Sequence, residues 1–191
     1  MKLILLSGGM DSTTLLHRYP DSIALTYRYG QINEAAELMA SRDICKELNV
    51  KHIIHDLSSF GELVSNQTSI IKDQNHVETK YDYEIPYKNL VFISHALAVA
   101  KVNNCDEISL GVLGTDQLDD CSSEFLESMN RISGGIKITF PFHQLAKHQI
   151  RRHGFELGVD YSKTVSCYYQ TDLLGEPCNE CSACINRNSA I

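Results

Sequence analysis

The sequence predicts an α/β protein, a five-stranded parallel sheet flanked by helices, with a small metal-binding knuckle at its C-terminal end. Three observations lead there. Short apolar stretches alternate with helix-like stretches five times, the order that a parallel sheet with helices on both faces requires. The first apolar stretch, Leu3 to Leu6, has no polar position, as in a strand buried on both faces. Four cysteines gather in the last 25 of 191 residues, a length that supports one well-buried core. The expected division is a main domain at 1–164 and a four-cysteine knuckle at 165–191 packed on it.

Each element has its own signal. After Leu3 to Leu6 comes Ser-Gly-Gly, then a short helix over Ser12 to Tyr19 with Asp11 or Ser12 available as its cap and Pro20 beyond its end. Ser22 to Tyr29 is rich in aromatic and β-branched residues and is closed by Gly30, which predicts a second strand. Small or apolar residues at Ile32, Ala35, Ala36, Met39, Ala40, Ile44 and Leu48 recur at helical spacing over Gln31 to Leu48.

Lys51 to Asp56 is a third strand, followed from Leu57 to Tyr87 by a stretch without clear period, which in a compact domain holds hidden short structure or closes over a site. Asn89 to Asn103 reads as an almost wholly apolar, central helix. Glu107 to Val112 and Ile136 to Phe140 read as the last strands, with helices over Glu124 to Ile132 and Ala146 to Leu157.

A net charge of -7 argues against a broad electrostatic footprint on DNA or RNA, and the short apolar start is too brief for a membrane span. Hydrophobic content of 43% with no like-charge run argues against disorder. The reading is a cytoplasmic protein acting on small molecules, with its seven cysteines as thiols or metal ligands.

The segment Ser7-Gly8-Gly9-Met10-Asp11-Ser12-Thr13 carries the first chemical signal. Glycines between a buried strand and a helix let successive N–H groups converge, and with the helix terminus behind them they form an anion nest. It is neither G-x-x-x-x-G-K-[ST] nor G-x-G-x-x-G. S-G-G-x-D-S resembles the PP-loop of the ATP pyrophosphatases, which have an adenine-nucleotide α-hydrolase-like fold of Rossmann type. The resemblance implies that this loop grips the triphosphate of ATP and that Asp11 helps to hold magnesium.

The second signal is C-x10-C-x2-C-x2-C at Cys167, Cys178, Cys181 and Cys184. Four thiolates brought together suit one structural zinc ion per chain, with an iron-sulfur cluster or plain thiols as alternatives. Four sulfurs close the shell, so such a zinc does not activate water. Cys45 and Cys105 read as small buried hydrophobes.

The two signals together resemble the 7-cyano-7-deazaguanine synthase family, also called QueC. LTYRYGQ at Leu25 to Gln31 is similar to its second strand and turn, IPYKN at Ile85 to Asn89 to its V-P-x-R-N, and SCY at Ser166 to Tyr168 to its knuckle entry. The resemblance implies adenylation of 7-carboxy-7-deazaguanine by ATP, attack by ammonia, and dehydration of the amide to the nitrile. It places Leu6, Ser7, Gly8, Gly9, Met10, Asp11, Ser12, Thr13 and Thr14 on ATP, with the backbone around Leu25 to Tyr27 on the adenine. Lys147, in PFHQLAKHQI, matches the lysine of the family's T-P-L-x-x-L-T-K and would act with Asp11 and Lys88 in catalysis.

Two departures stand out. Lys88 replaces an arginine, and a lysine cannot reproduce a planar bidentate fork. The family's G-Y-P-D-C-R-x-E-F is here Leu118 to Phe125, keeping Asp-Cys and Glu-Phe but losing Gly-Tyr-Pro and the arginine. The acceptor therefore stays open between ammonia and another amine, such as one on a protein partner, and so does a homodimer. A zinc-containing module that binds nucleotide without catalysis is the reading from another class.

Overall fold

A computed structural model describes residues 1–71, 83–114, 118–170, 172 and 174–189. The elements are β1 (Lys2–Leu5), α1 (Met10–Arg18), β2 (Ile23–Arg28), α2 (Glu34–Glu47), β3 (Lys51–Asp56), α3 (Ser58–Val64), α4 (Lys88–Val102), β4 (Glu107–Ser109), α5 (Ser123–Ile132), β5 (Lys137–Thr139), α6 (Lys147–Glu156) and α7 (Ser182–Asn188). The five strands form one sheet in the order β3-β2-β1-β4-β5, every pair parallel. This is the expected architecture.

Alternation along the central strands builds two cores. Leu3, Leu5, Ile23, Leu25 and Tyr27 face a cluster completed by Ile93 and Ala96 of α4 and Met129 of α5. Ile4, Leu6 and Ala24 face the other cluster, with Leu15 and Leu16 of α1, Ala36 and Ala40 of α2 and Ile150 of α6. Helices on both faces explain why Leu3 to Leu6 shows no polar position. β1 is followed outward through α1 to β2, whereas β4 lies on its other side, so the order reverses between β1 and β4. In open parallel sheets the crevice for a ligand lies at the carboxyl ends of the strands beside such a reversal, which here is next to the loop that follows β1.

Several boundaries differ from expectation. The first helix starts at Met10 rather than Ser12, and its cap is Gly9 with no side-chain bond; Ser12 turns back instead, its hydroxyl accepting from the Ser7 amide at 3.2 Å. The second helix starts at Glu34 rather than Gln31, because the buried Gln31 accepts from the Tyr29 amide through Oε1 and forms an antiparallel bridge with Ile71. β4 and β5 stop at Ser109 and Thr139, where both chains leave the sheet for the crevice. The aperiodic stretch does contain hidden structure, α3 and a 3-10 turn over Ser65–Gln67, while 72–82 lie outside the described residues. Helix α4 is less central than its composition suggests, since Ile93, Ala96, Val99 and Ala100 are buried but Val102 is largely exposed. Among the described residues no helix is long and apolar enough to cross a membrane.

Candidate active site

The loop after β1 sits at the reversal of strand order. Gly8 has φ +77°, a backbone conformation that side chains with a Cβ disfavour, and an added Cβ would lie 2.9 Å from the Glu37 carbonyl oxygen. Gly8 therefore serves both the turn and the close approach of α2. Gly9 donates its N–H to Ser7 Oγ at 3.2 Å, and Ser12 Oγ donates to the Gly9 carbonyl at 3.2 Å. With no side chain capping α1, the N–H groups of its first turn lack an intrahelical acceptor, the condition for binding an anion. Gly111, just past β4, packs against the same turn, where its Cβ would stand 3.2 Å from Ser12 N.

Asp11 lies in the first turn of α1, directly after the loop. Its Oδ2 forms an ion pair with Lys147 Nζ, the first residue of α6, and its Oδ1 is buried with no hydrogen-bond partner. An orphaned buried carboxylate oxygen fits a cation site. The structure thus brings Ser7, Gly8, Gly9, Met10, Asp11, Ser12 and Lys147 together. It leaves other expected residues in the core: Thr14 Oγ1 donates to the Met10 carbonyl and meets Tyr161 Oη at 2.7 Å, Thr13 is fully buried, and the Met10 side chain packs on Val159 and Tyr161.

Leu25 is also buried, and its carbonyl accepts from Leu6 N at 2.9 Å, the last rung between β1 and β2. By alternation along the strand, the backbone N–H and carbonyl of Tyr27 turn toward the space past the end of β1. The Tyr27 side chain instead reaches α4, its hydroxyl donating to the Phe92 carbonyl at 2.9 Å.

A carboxylate that the motifs do not mark lies beside the loop. Glu37 accepts from Gln31 Nε2 at 2.9 Å and from Asn33 Nδ2 at 3.2 Å. Burial pushes its pKa up to about 7, against the pull of Gln31, Lys88 and Asn33, with Glu34 adding to the rise. Lys88, at the start of α4, therefore acts on Glu37 through its charge. The signal that could have found Glu37 is two carboxamides within six positions upstream, though only the turn at Gly30 brings them together.

A stability prediction follows from Glu37. Its pKa is near 4.5 when unfolded and about 7 when folded, so the native state binds the extra proton between those values and stability falls as pH rises through that window. The effect is at most about 3 kcal/mol. Urea unfolding of wild type and Glu37→Gln from pH 4.5 to 7 should show the variant gaining on wild type as pH rises. A constant difference across the window would refute the assignment.

The altered segment forms a 3-10 turn over Asp119–Cys121 at the start of α4. Asp120 Oδ2 accepts from the Asn89 amide at 2.7 Å, a carboxylate on a helix N-terminus, and His143 Nε2 lies 2.9 Å from the Cys121 carbonyl oxygen. Residues 115–117 lie outside the described residues.

The knuckle cysteines converge as their spacing predicts. One Sγ from each of Cys167, Cys178, Cys181 and Cys184 lies within 4.8 Å of the others, and Cys178 Sγ is 3.9 Å from Cys184 Sγ. Zinc-sulfur bonds of about 2.3 Å in a tetrahedron put sulfurs roughly 3.8 Å apart, so the set fits such an ion. Although burial alone would raise it, backbone donation from Cys181 and Glu180 brings the Cys178 thiol down to about 7, whereas burial raises Cys181 and Cys184. Cys45 and Cys105 are buried, and burial pushes the Cys45 thiol up to about 12.

The family model described as queuosine biosynthesis protein QueC matches residues 1–191. The chain belongs to the QueC family. The 7-cyano-7-deazaguanine synthase of Rickettsia conorii is 36% identical over 212 residues, covering 98% of this chain and 92% of the relative. That of Acinetobacter baylyi is 36% identical, covering 95% and 86%. The chain is accordingly an ATP-dependent enzyme of the queuosine pathway family.

Solved structures are similar in fold alone. NMN synthetase from Francisella tularensis superposes with a TM-score of 0.53 at 17% identity, covering 94% of this chain and 70% of that one. The U34-tRNA thiolase NcsA from Methanococcus maripaludis, described with its [4Fe-4S] cluster, gives 0.53 at 16% identity, covering 100% and 63%.

Proposed function

We propose that this QueC enzyme adenylates 7-carboxy-7-deazaguanine with one ATP, lets ammonia displace AMP to give the amide, and adenylates the amide oxygen with a second ATP, so that AMP departs with that oxygen and two protons are lost from nitrogen to yield 7-cyano-7-deazaguanine. The observation that carries the reading is Asp11, paired with Lys147 and holding one orphaned oxygen at the mouth of an uncapped helix in the crevice. Activation is needed because a carboxylate has no good leaving group, whereas an acyl adenylate loses AMP.

In this reading the amides of Gly9 to Ser12 hold the phosphates, the Tyr27 backbone meets the adenine edge, and Lys147 offsets charge on the departing pyrophosphate. Magnesium at Asp11 Oδ1 would supply charge neutralisation between phosphate oxygens. In the same reading Lys88, whose charge acts on Glu37, would meet the acid substrate, and Glu37 would take the proton shed by ammonium. The four cysteines hold a closed, structural zinc.

The test is incubation of metal-loaded protein with ATP, magnesium, ammonium and 7-carboxy-7-deazaguanine, read by mass spectrometry. Amide and nitrile should appear with one pyrophosphate released per amide and two per nitrile. No product from folded protein with one bound zinc would overturn the reading. The turn at Asp119–Cys121, which keeps the family's Asp-Cys but lacks its Gly-Tyr-Pro and arginine, favours a second reading in which another amine attacks the adenylate. Efficient nitrile formation from ammonium alone would dismiss it.

A further inference from the structure

One side chain outside all of the motifs binds the knuckle to the phosphate loop. Arg187 lies on α7, three residues after Cys184. Its guanidinium donates to four oxygens of one short segment: the Tyr161 carbonyl at 2.6 Å, the Thr164 carbonyl at 3.2 Å, Thr164 Oγ1 at 2.9 Å and Ser166 Oγ at 3.0 Å. Burial disfavours its charge, and Arg151 adds to that effect, so these four acceptors are what stabilise the guanidinium in place. A rigid fork with five N–H donors suits this clamping of several neutral acceptors.

The clamped segment touches the loop directly. Val165 N donates to the Gly8 carbonyl at 2.9 Å, and the Val165 carbonyl oxygen lies 3.3 Å from where a Cβ on Gly9 would stand. A trans peptide points its C=O and N–H to opposite sides. Fixing the Gly8 carbonyl on Val165 therefore turns the Gly9 N–H inward, where it meets Ser7 Oγ. Glycine peptides reorient easily, and a carbonyl turned inward would repel phosphate, so the Val165 contact selects the anion-binding state. Two more contacts hold the segment: Tyr161 Oη with Thr14 Oγ1 at 2.7 Å, and Asn33 Nδ2 donating to the Cys167 carbonyl at 3.1 Å.

We propose that Arg187 is a positioning residue for the phosphate-binding loop, and that through it the four-cysteine centre sets the readiness of that loop for nucleotide. The inference rests on the ATP reading given under Proposed function. It adds a role in binding to a centre whose closed shell has no role in the chemistry.

The test is calorimetric binding of magnesium and α,β-methylene-ATP to metal-loaded full-length protein. Arg187→Gln should weaken the analogue about tenfold or more while retaining its bound metal, and Arg187→Lys should recover part of the loss because an ammonium reaches some of the four oxygens. In turnover, KM for ATP should rise while KM for the acid substrate stays unchanged. A metal-replete Arg187→Gln protein that melts at lower temperature but binds the analogue like wild type, well below its midpoint, would show a purely structural role and overturn the inference. Wild type that binds no analogue would remove the ATP reading and this inference with it. Should Arg187→Gln not fold, Thr164→Val with Ser166→Ala removes two acceptors without touching α7. That protein should bind about threefold more weakly, and unchanged affinity there overturns the inference equally.

Discussion

Asp11→Asn should lower ATP-dependent pyrophosphate release by about 10²–10³-fold while leaving the fold intact. The substitution keeps the shape of the side chain and removes its charge. In the native site Oδ2 carries the pair with Lys147, and Oδ1 is buried without a partner, so one oxygen already meets a cation and the other is left for one. An amide can satisfy one of them at best, and its NH2 group would face either the lysine or the bound metal. Stability should change little, because losing the Lys147 pair and a first-turn helix-dipole contribution of about 0.3–1 kcal/mol is offset by removing the charge from a carboxylate whose Oδ1 is buried without a partner. Steady-state release measured with saturating magnesium, beside a circular dichroism spectrum, decides the point. Turnover within tenfold of wild type would show that Asp11 does not serve the reacting phosphates.

The second large effect concerns the knuckle. Cys184→Ser should remove the bound metal and lower the melting midpoint by about 10 °C, from a loss of roughly 3–5 kcal/mol. The reason is size. Cys167, Cys181 and Cys184 are the buried members of the small cluster at this end, and a short segment with so little apolar surface cannot offset its own ordering entropy. A metal bound only by the folded state would supply the difference. Wild type stripped by a chelator should melt like the variant, and metal analysis should fall from one equivalent to none. An unshifted midpoint in metal-free protein would mean that the knuckle is held by its protein contacts alone, Arg187 foremost.

Much of the architecture was legible because a parallel sheet writes itself locally. Lys51–Asp56 was read with its observed bounds, and the apolar run before Ser7 announced a strand covered on both sides. The start of α1 departs from its sequence signal because Asp11 and Ser12 are good caps by residue type, yet here their side chains are engaged elsewhere and the helix opens on Gly9. The stretch from Leu57 onward hid α3 because one short, half-buried helix with Gly61 inside it carries too few turns to show a period.

The sequence by itself determined the alternation of strands and helices, the glycine loop at the first strand-helix junction and the four-cysteine spacing. Each is a property of neighbouring residues, set by backbone freedom, side-chain periodicity or ligand chemistry. Only the tertiary structure decided which groups meet at the site. Asp11 finds Lys147 across 136 positions, Glu37 is enclosed by carboxamides from the turn before its helix, and Arg187 reaches back over 23 positions to Thr164. Such contacts leave no period in the chain, because they follow from how the sheet reverses its order beside β1 and from how the knuckle folds back on the loop.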